Sequence, residues 1–440
     1  MKFSVFAAVA AGLVAAAPRQ RGNLAALEVA VLGGASFKIS QVPNQNYRTL
    51  HRGPRALAKA YQKFGVPIPS DLLQLLQEIL SELGVSVPRL GGAGNGTFGG
   101  NDTADAGQGE VSAIPELFDS EYLAEVHIGT PPQKLMLNFD TGSSDLWVFS
   151  SETPVNQRNG QKLYDIEAST TSKLLNGSTW SIRYGDGSNS AGTVYMDTVS
   201  VGEITVANQA VESAQRVSAS FMNDTASSGL LGLAFSHINQ VTPNQQKTFF
   251  DNAMENLAMP LFSANLKQGE AGNYNFGFID QTEFSGEIAF VNVNSTQGFW
   301  QFSAGGFAVG SKAAVAMPHE AIADTGTTLL LLPTPIVEAY YADIPSAAFS
   351  ASVGGFVYLC TEKLPDFTLN IGTYKAVIPG PIINYAPADS DDFATATYCF
   401  GGIQAANGLP FAIYGDIFLK AQFVVFHGGN SQLGFAPKPT

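Results

Sequence analysis

The sequence is poor in cysteine, histidine and charged residues. Of its 440 residues, two are cysteine and five are histidine, and charged residues make up 14%. The histidines, at positions 51, 127, 237, 319 and 427, lack the spacing of metal ligands. There is no Gly-x-Ser-x-Gly motif, and neither cysteine lies in a known nucleophile motif. We therefore expect no metal, no cofactor, and neither a serine nor a cysteine nucleophile.

Long hydrophobic runs are also missing after the first residues. The chain begins with Met1-Lys2, continues with a short apolar run through Val14 and then has Ala15-Ala16-Ala17. This pattern is typical of a secretory signal peptide, with a buried N-terminal helix as the alternative. No later stretch has the length of a transmembrane helix. The sequence therefore predicts a signal peptide over residues 1–17 and a secreted, extracellular, soluble protein.

Basic residues are scarce and unevenly placed. Lys and Arg number 23 against 37 Asp and Glu, for a formal net charge of −14. Eight basic residues and one acid lie between Pro18 and Ser70, whereas residues 111–440 contain 13 basic and 30 acidic residues. A basic leader and an acidic body attract each other. A basic arm for nucleic acid or membrane is the alternative, but export and an acidic body disfavour it, so we expect neither partner.

The rest of the first 110 residues is predicted to be a helix and a linker. Leucines recur at helical spacing from Ser70 to Gly84, which predicts an amphipathic helix. Residues 91–109 are rich in Gly and Asn without apolar periodicity, which indicates an exposed, cleavable linker. Glycosylation sequons begin at Asn95 and Asn101 in this linker. Three more lie in the body, at Asn176, Asn223 and Asn294.

A short polar run occurs twice in the body. Asp140-Thr141-Gly142 follows Phe139, and Asp324-Thr325-Gly326 repeats it 184 positions later. Downstream, Leu230-Leu231-Gly232 ends 92 residues after the first Asp, and Ile413-Tyr414-Gly415 ends 91 residues after the second. One Asp-Thr-Gly is typical of an ordinary turn. Two copies at matched offsets indicate a duplicated lobe.

Equivalent Asp residues of two related lobes would meet at a pseudo-twofold axis. Carboxylates a few Å apart cannot both ionise cheaply, because the second negative charge is repelled by the first. Asp140 and Asp324 would therefore share one proton and titrate as a unit. One could act as general base on a water while the other donates a hydrogen bond to a carbonyl, which would hydrolyse an amide.

Five motifs give the chain a specific resemblance over about residues 115–440. They are Phe139–Val148 (FDTGSSDLWV), Tyr184–Ser188 (YGDGS), Gly229–Phe235 (GLLGLAF), Ile322–Leu332 (IADTGTTLLLL) and Tyr414–Lys420 (YGDIFLK). With these motifs the sequence resembles the pepsin-family (A1) aspartic endopeptidases, and most the secreted fungal penicillopepsin and aspergillopepsin type. The shared proton is the known chemistry of pepsin's own Asp pair and is carried over from it.

The resemblance implies a secreted acid endopeptidase that is made as a zymogen and acts on proteins and peptides. It implies a monomer, a cleft that favours large hydrophobic residues, and a prosegment that acts as an intramolecular inhibitor. A prosegment lysine would face the catalytic pair, and Lys59 and Lys63 are both candidates. Maturation is expected between about residues 100 and 113, by self-processing.

Residues beside each Asp have expected roles. The residue after each Asp would bind the opposite loop across the axis, as the family's threonines do. The glycine that follows allows close approach of backbone and substrate. The hydroxyl three residues after each Asp can donate to its outer carboxylate oxygen and so favour the ionised form. These residues are Thr141, Gly142 and Ser143 in the first copy, and Thr325, Gly326 and Thr327 in the second.

By the same resemblance, Tyr184-Gly185-Asp186-Gly187-Ser188 is the tip of a flap that closes over substrate. Tyr184 would lie over the pair, with its hydroxyl held by Trp147. An ordinary surface hairpin is the alternative. Asp186 would let the S1 pocket accept Lys as well as large apolar side chains.

The two cysteines, Cys360 and Cys399, are expected to form a disulfide, because an exported chain with an even number of cysteines usually pairs them. Two buried free thiols are the alternative. Closing a loop of about 40 residues contributes roughly 4 kcal/mol in the chain-entropy model.

Short alternating apolar segments broken by Gly, Pro, Asn and Ser predict an all-β body. We expect a bilobal pepsin-like fold with a prosegment and linker over residues 18–110. The N-terminal lobe is expected over residues 111–290 and the C-terminal lobe over residues 291–440. A hairpin of Glu125–Gly129 with Lys134–Phe139 would place Asp140 in the cleft. Helices are predicted at residues 247–257 and 335–341.

Two rival functions remain at this stage. A non-catalytic pepsin-like binding protein would keep the fold without a complete site, although both Asp-Thr-Gly motifs are intact here. A vacuolar or lysosomal protease would share the chemistry and differ in location.

Overall fold

The computed structural model describes residues 37–43, 52–82, 119, 121–183 and 189–439. The strands of the first half are β1 Phe37–Pro43, β2 Tyr122–Ile128, β3 Gln133–Asp140, β4 Leu146–Phe149, β5 Lys173–Arg183, β6 Asn189–Val201, β7 Ile204–Val217, β8 Gly229–Gly232, β9 Val241–Thr242, β10 Phe262–Asn265, β11 Asn273–Phe276 and β12 Ala289–Asn292. Those of the second half are β13 Gln301–Val309, β14 Val315–Ala323, β15 Leu330–Leu332, β16 Ala348–Ser350, β17 Gly355–Leu359, β18 Phe367–Ile371, β19 Tyr374–Ile378, β20 Asn384–Pro387, β21 Tyr398–Gly401, β22 Ile403–Ala405, β23 Ala412–Tyr414, β24 Gln422–His427 and β25 Gln432–Pro437.

The helices are fewer and mostly short. They are α1 Arg52–Lys63, α2 Ser70–Glu82, α3 Ala219–Met222, α4 Phe249–Ala253, α5 Thr334–Tyr341, α6 Gly380–Ile383 and α7 Asp416–Leu419. Single 3-10 turns cover Val155–Gln157, Ser236–Ile238, Met254–Asn256, Ser295–Gln297 and Gly428–Asn430. The predicted all-β class is confirmed. Across the described ranges, no helix combines the length and apolarity needed to cross a membrane.

The strands form three sheets. A 14-stranded sheet has the order β12-β25-β24-β10-β11-β1-β2-β3-β8-β4-β7-β6-β5-β9. A seven-stranded sheet has the order β19-β18-β13-β14-β23-β15-β22, and a four-stranded sheet the order β16-β17-β21-β20. The first sheet joins strands from both halves of the chain, because β24 and β25 pair with β10 and β12.

The sequence repeat is also a repeat of strand pairing. β3 runs parallel to β8, with Asp140 opposite Gly232. β14 runs parallel to β23, with Ala323 opposite Tyr414. In each half the next strand, β4 or β15, then pairs antiparallel with that same partner. Each Asp-Thr-Gly therefore lies at the end of one strand beside the strand that carries the downstream apolar motif.

The predicted hairpin and helices are found with small shifts of their ends. β2 and β3 pair antiparallel, from Leu123 opposite Asn138 to Ile128 opposite Gln133. The helix expected from Ser70 is α2, and its Leu72 and Leu75 are buried. The candidate at 247–257 is α4 followed by a 3-10 turn, and the candidate at 335–341 is α5.

The disulfide is also confirmed, because Cys360 and Cys399 are bonded. It links the residue after β17 to β21, which pairs antiparallel with β17.

Segments that precede residue 110 pack against the body. β1 adds a strand between β2 and β11, with Gln41 opposite Ala124 and Phe37 opposite Phe276. In α1, Leu57 and Tyr61 are buried, and the Tyr61 hydroxyl donates to the carbonyl of Ala405 at 3.0 Å. Leu57, Ala58, Ala60 and Tyr61 of α1 are all buried, so an apolar part of the helix packs on the body.

Candidate active site

The two Asp-Thr-Gly turns lie against each other and are joined by four hydrogen bonds. The amide of Thr141 donates to Thr325 Oγ1 at 3.0 Å, and the amide of Thr325 donates to Thr141 Oγ1 at 3.0 Å. The Thr141 hydroxyl then donates to the carbonyl of Ala323 at 2.9 Å, and the Thr325 hydroxyl to that of Phe139 at 2.6 Å. These bonds tie the two strand ends together with pseudo-twofold symmetry.

Each Asp side chain receives the same two donors from its own turn. The amide of Gly142 donates to Asp140 Oδ1 at 2.8 Å, and that of Gly326 donates to Asp324 Oδ1 at 2.9 Å. On the outer side, the Ser143 hydroxyl donates to Asp140 Oδ2 at 2.7 Å. Thr327 makes the equivalent bond to Asp324 Oδ2 at 2.6 Å. All four donors favour the ionised carboxylate.

Glycine is required at the centre of both turns because the opposite carboxylate lies directly over it. A Cβ on Gly142 would lie 2.5 Å from Asp324 Oδ1, and a Cβ on Gly326 would overlap Asp140 Oδ1. Each Asp therefore approaches the backbone of the other turn more closely than any side chain allows.

The ammonium of Lys63 occupies the point where the two carboxylates converge. Its Nζ lies 2.7 Å from Asp140 Oδ1 and 2.6 Å from Asp324 Oδ1. All three side chains are buried, with 7%, 3% and 0% of their surface exposed for Lys63, Asp140 and Asp324. Of the two candidate lysines, the structure places Lys63 at the pair. Its neighbour Phe64 packs edge-on against Phe299 and Phe411.

The charges of the site shift each other's pKa. Burial alone would lower the pKa of Lys63, but attraction to Asp140 and Asp324 outweighs it, so this pKa is raised. Burial would raise the pKa of Asp140, but Lys63, Ser143 and the Gly142 amide outweigh it, and this pKa is lowered. For Asp324, burial and repulsion from Asp140 prevail over Lys63 and Thr327, and the pKa is raised. The pKa values of the two carboxyl groups are therefore shifted in opposite directions.

The sequence that forms this site is similar to those of known proteases. Residues 121–438 match the model of a family described as eukaryotic aspartyl protease. The chain belongs to this family. It is 45% identical to endothiapepsin of Cryphonectria parasitica over 436 residues, which cover 99% of this chain and 98% of that protein.

Other aspartyl proteases are similarly close. Aspergillopepsin-1 of Aspergillus fumigatus (strain CBS 144.89 / FGSC A1163 / CEA10) is 49% identical over 343 residues, which are 78% of this chain and 85% of that one. Penicillopepsin-3 of Penicillium janthinellum is 43% identical, covering 94% and 98% of the two chains. The crystal structure of the aspartic proteinase from Irpex lacteus superposes with a TM-score of 0.61 at 21% identity, covering 72% of this chain and 94% of that one. The protein is therefore an aspartic-type peptide hydrolase of the fungal pepsin type, as the sequence predicted.

Part of the predicted site of this aspartyl protease lies outside the described residues. These positions are the flap residues Tyr184, Gly185 and Asp186, and the linker sequons at Asn95 and Asn101. Trp147 is described and buried, and its indole Nε1 has no acceptor within the described part of the chain. The role of Trp147 toward Tyr184 stays a prediction. Asn176, Asn223 and Asn294, the three sequons of the body, are exposed.

Sequence reasoning missed two groups of residues near the site of the protease. One is β1, which takes a place between body strands although its residues carried no motif. The other is a buried cluster of Asp145, Glu212 and Asn239 behind the first turn. Asp145 was visible in the first motif, but its partners lie far along the chain and only the fold joins them. Elsewhere in the described ranges, no group of three or more His, Cys, Asp or Glu side chains could hold a metal ion.

Proposed function

We propose that Asp140 and Asp324 together activate one water molecule for the hydrolysis of internal peptide bonds at acid pH. The observation that carries this proposal is the position of Lys63 Nζ, which lies within hydrogen-bonding distance of both carboxylates. One point in the molecule thus faces an oxygen of each Asp. Once the lysine leaves, a water can bind there.

Without Lys63, the two buried carboxyl groups keep one proton between them, since the second charge would be repelled by the first. The ionised group takes a proton from the water, whose oxygen attacks the scissile carbonyl carbon. The protonated group donates to the carbonyl oxygen. The tetrahedral diol that results collapses when the C–N bond breaks and the nitrogen takes up a proton. The donors from Gly142, Gly326, Ser143 and Thr327 hold the carboxylates in place for these steps.

The same contacts support synthesis as a zymogen. Lys63 occupies the place of the water, while β1 and α1 pack against the body, so the uncleaved chain would be latent. Lowering the pH protonates carboxylates of the acidic body and weakens their hold on the basic prosegment. Self-cleavage between about residues 100 and 113 would then release the active enzyme.

Specificity is proposed to favour large hydrophobic residues beside the cleaved bond. Phe64, which follows Lys63 directly, packs edge-on against Phe299 and Phe411, with ring centroids 5.6 and 5.5 Å away. An aromatic surface for a large apolar side chain is therefore available close to the two carboxylates. Acceptance of Lys at P1 would depend on Asp186. Secretion, glycosylation and a monomeric state complete the proposal, and the exposed sequons and the disulfide are consistent with export.

Acidification of the purified full chain tests this function. At about pH 4, the chain should convert to a shorter form and digest a denatured protein, and pepstatin should block both. Asp140→Asn and Asp324→Asn should each lower kcat at least about a hundredfold, because each removes one partner of the general acid–base pair. N-terminal sequencing of the product maps the maturation site.

The matched control is Asp391→Asn, which removes an exposed carboxylate from the second half of the chain. It should be processed and active like the unsubstituted protein. Retained activity in either site variant would refute the two-Asp mechanism. A folded chain that binds pepstatin but cleaves nothing would instead identify a pepsin-like binding protein.

A further inference from the structure

Behind the first catalytic turn, a second pair of carboxyl groups is buried without a basic partner in the described ranges. Asp145 lies five positions after Asp140, and Glu212 lies in β7, in register with Trp147 of β4. Their exposed fractions are 3% and 1%. Each carboxyl group shifts the pKa of the other, so the two lie close together. Two buried acids in contact cannot both be ionised cheaply.

The amide of Asn239 lies between the two acids, and its orientation is fixed. Its Oδ1 accepts from the amides of Val241 at 3.1 Å and Gln246 at 2.8 Å, so its Nδ2 must face the carboxyl groups. Nδ2 lies 2.9 Å from Asp145 Oδ1 and 3.0 Å from Glu212 Oε1.

Too few donors reach the acids to satisfy both as carboxylates. Nδ2 of Asn239 has two hydrogens, but the carbonyl of Ser144, at 3.2 Å, is a third acceptor. The amide of Gln240 adds one donor, to Asp145 Oδ1 at 2.7 Å. Glu212 Oε2 is buried and has no donor from the described residues. A proton held between the two carboxyl groups would satisfy that oxygen.

The cluster is bonded to the loop that carries Asp140. The amide of Gly232 donates to the Asp145 carbonyl at 3.0 Å, and that of Leu233 donates to the Asp140 carbonyl at 2.8 Å. Ala234 donates to the carbonyl of Ser143 at 2.9 Å. Residues 140–145 are thus held between 232–234 on one side and Asn239 on the other, and a shift at Asp145 would be passed to Asp140.

We propose that Asp145 and Glu212 keep at least one proton between them and that this protonated pair positions the loop of Asp140. Loss of the proton leaves two like charges side by side behind the loop and displaces it, so turnover fails. The pair therefore sets an upper pH limit for activity. The proposal rests on the function proposed above for Asp140.

The pKa shifts of both acids favour the protonated pair. Burial raises the pKa of Asp145 to about 6 from 3.8, and burial together with Asp145 raises that of Glu212 well above its ordinary value. Few titratable groups act on the pair. Asp140 raises the pKa of Asp145, and Asp145 and Glu212 each shift the pKa of the other. Because both values are raised in the folded state, folding is favoured at low pH. This advantage is lost as the pH rises from 3.8 through about 6 and above.

The test uses Asp145→Asn and Glu212→Gln, singly. Each keeps the shape of the side chain and supplies an N–H where the shared proton now lies. In the matured enzyme, the alkaline limb of the kcat profile should move upward by roughly one pH unit in each variant. Asp145→Ala supplies no donor and should lower kcat across the whole profile. The control is Glu203→Gln, which removes an exposed acid of the same half and should leave the limb in place.

A second arm measures thermal unfolding of the full chain in the Asp324→Asn background, where self-digestion is prevented. The fall in Tm between about pH 4 and pH 7 should be smaller in Asp145→Asn and Glu212→Gln than in the parent. Unchanged limbs and unchanged Tm profiles would overturn the proposal. A changed Tm profile with an unchanged limb would overturn the positioning role. If the unsubstituted chain has no activity, the proposed function fails, and the unfolding arm still decides separately whether the pair shares a proton.

Discussion

At the scale of single residues, the site depends on how closely two turns can approach. The hydroxyls of Thr141 and Thr325 each accept one backbone amide and donate to one carbonyl of the opposite turn. These buried groups would lose their partners if the turns separated, and each unpaired group costs about 1–3 kcal/mol. The turns are therefore held at a fixed distance, and this distance leaves no room for a Cβ at Gly142 or Gly326.

Gly326→Ala should abolish self-processing and lower kcat by roughly a hundredfold or more, because a displacement of about 1 Å at the reacting groups has effects of that size. The added methyl would overlap Asp140 Oδ1. The variant can be assayed for conversion at acid pH and for peptide hydrolysis.

Gly305→Ala is the matched control for that change. A Cβ there would meet only the carbonyl of Asn370, at 3.8 Å, so processing and kcat should be those of the unsubstituted protein. Equal activity of Gly326→Ala and Gly305→Ala would contradict the close approach of the turns.

At the scale of elements, helix α1 places Lys63 between the two carboxylates. Lys63 is the last residue of the helix, and Tyr61, two residues before it, anchors the helix to the Ala405 carbonyl. Lys59 lies one turn earlier and is exposed. The position of the ammonium is thus set by the helix and by apolar contacts beside it, including those of Phe64 with Phe299 and Phe411.

Lys63→Met should allow conversion at a pH about one unit higher than in the unsubstituted chain. The lowered pKa of Asp140 means that its pairing with Lys63 stabilises the docked prosegment above the ordinary carboxyl pKa and is lost as pH falls through the lowered value. Without the ammonium, this stabilisation is missing at every pH. Conversion against pH, followed on gels, measures the shift.

Arg55→Met also removes one positive charge from α1, two turns before Lys63, and should convert at the pH of the unsubstituted chain. A shift of equal size in Arg55→Met would show that overall charge, and not the contact of Lys63 with the two carboxylates, keeps the chain latent.

The elements also show what the sequence could and could not predict. The repeated Asp-Thr-Gly and the downstream apolar motifs predicted a duplicated lobe, because the same local residues recur at matched spacing. The structure shows this duplication as two equivalent strand pairs. The sequence did not distinguish Lys59 from Lys63 as the lysine that faces the two carboxylates, because that contact depends on where α1 docks. Glu212 and Asn239 carried no signal, because they lie 27 residues apart and far along the chain from Asp145, and only the fold brings the three together.

At the scale of the whole molecule, duplication and charge act together. Two equivalent strand arrangements bring equivalent carboxylates to one axis, where their repulsion must be relieved. In the uncleaved chain, a basic residue of the leader relieves it. In the matured enzyme, a proton would replace the lysine, and acid pH would supply it. The excess of acids in the body fits the same conditions, since partial protonation reduces their mutual repulsion.

Neutron diffraction from crystals of the matured enzyme at acid pH tests the shared proton most directly. We expect Oδ1 of Asp140 and Oδ1 of Asp324 within hydrogen-bonding distance of one water, with one deuterium on the carboxyl pair. Carboxyl groups that stand apart without a common water, or a pair that carries two deuterium atoms or none, would contradict the account.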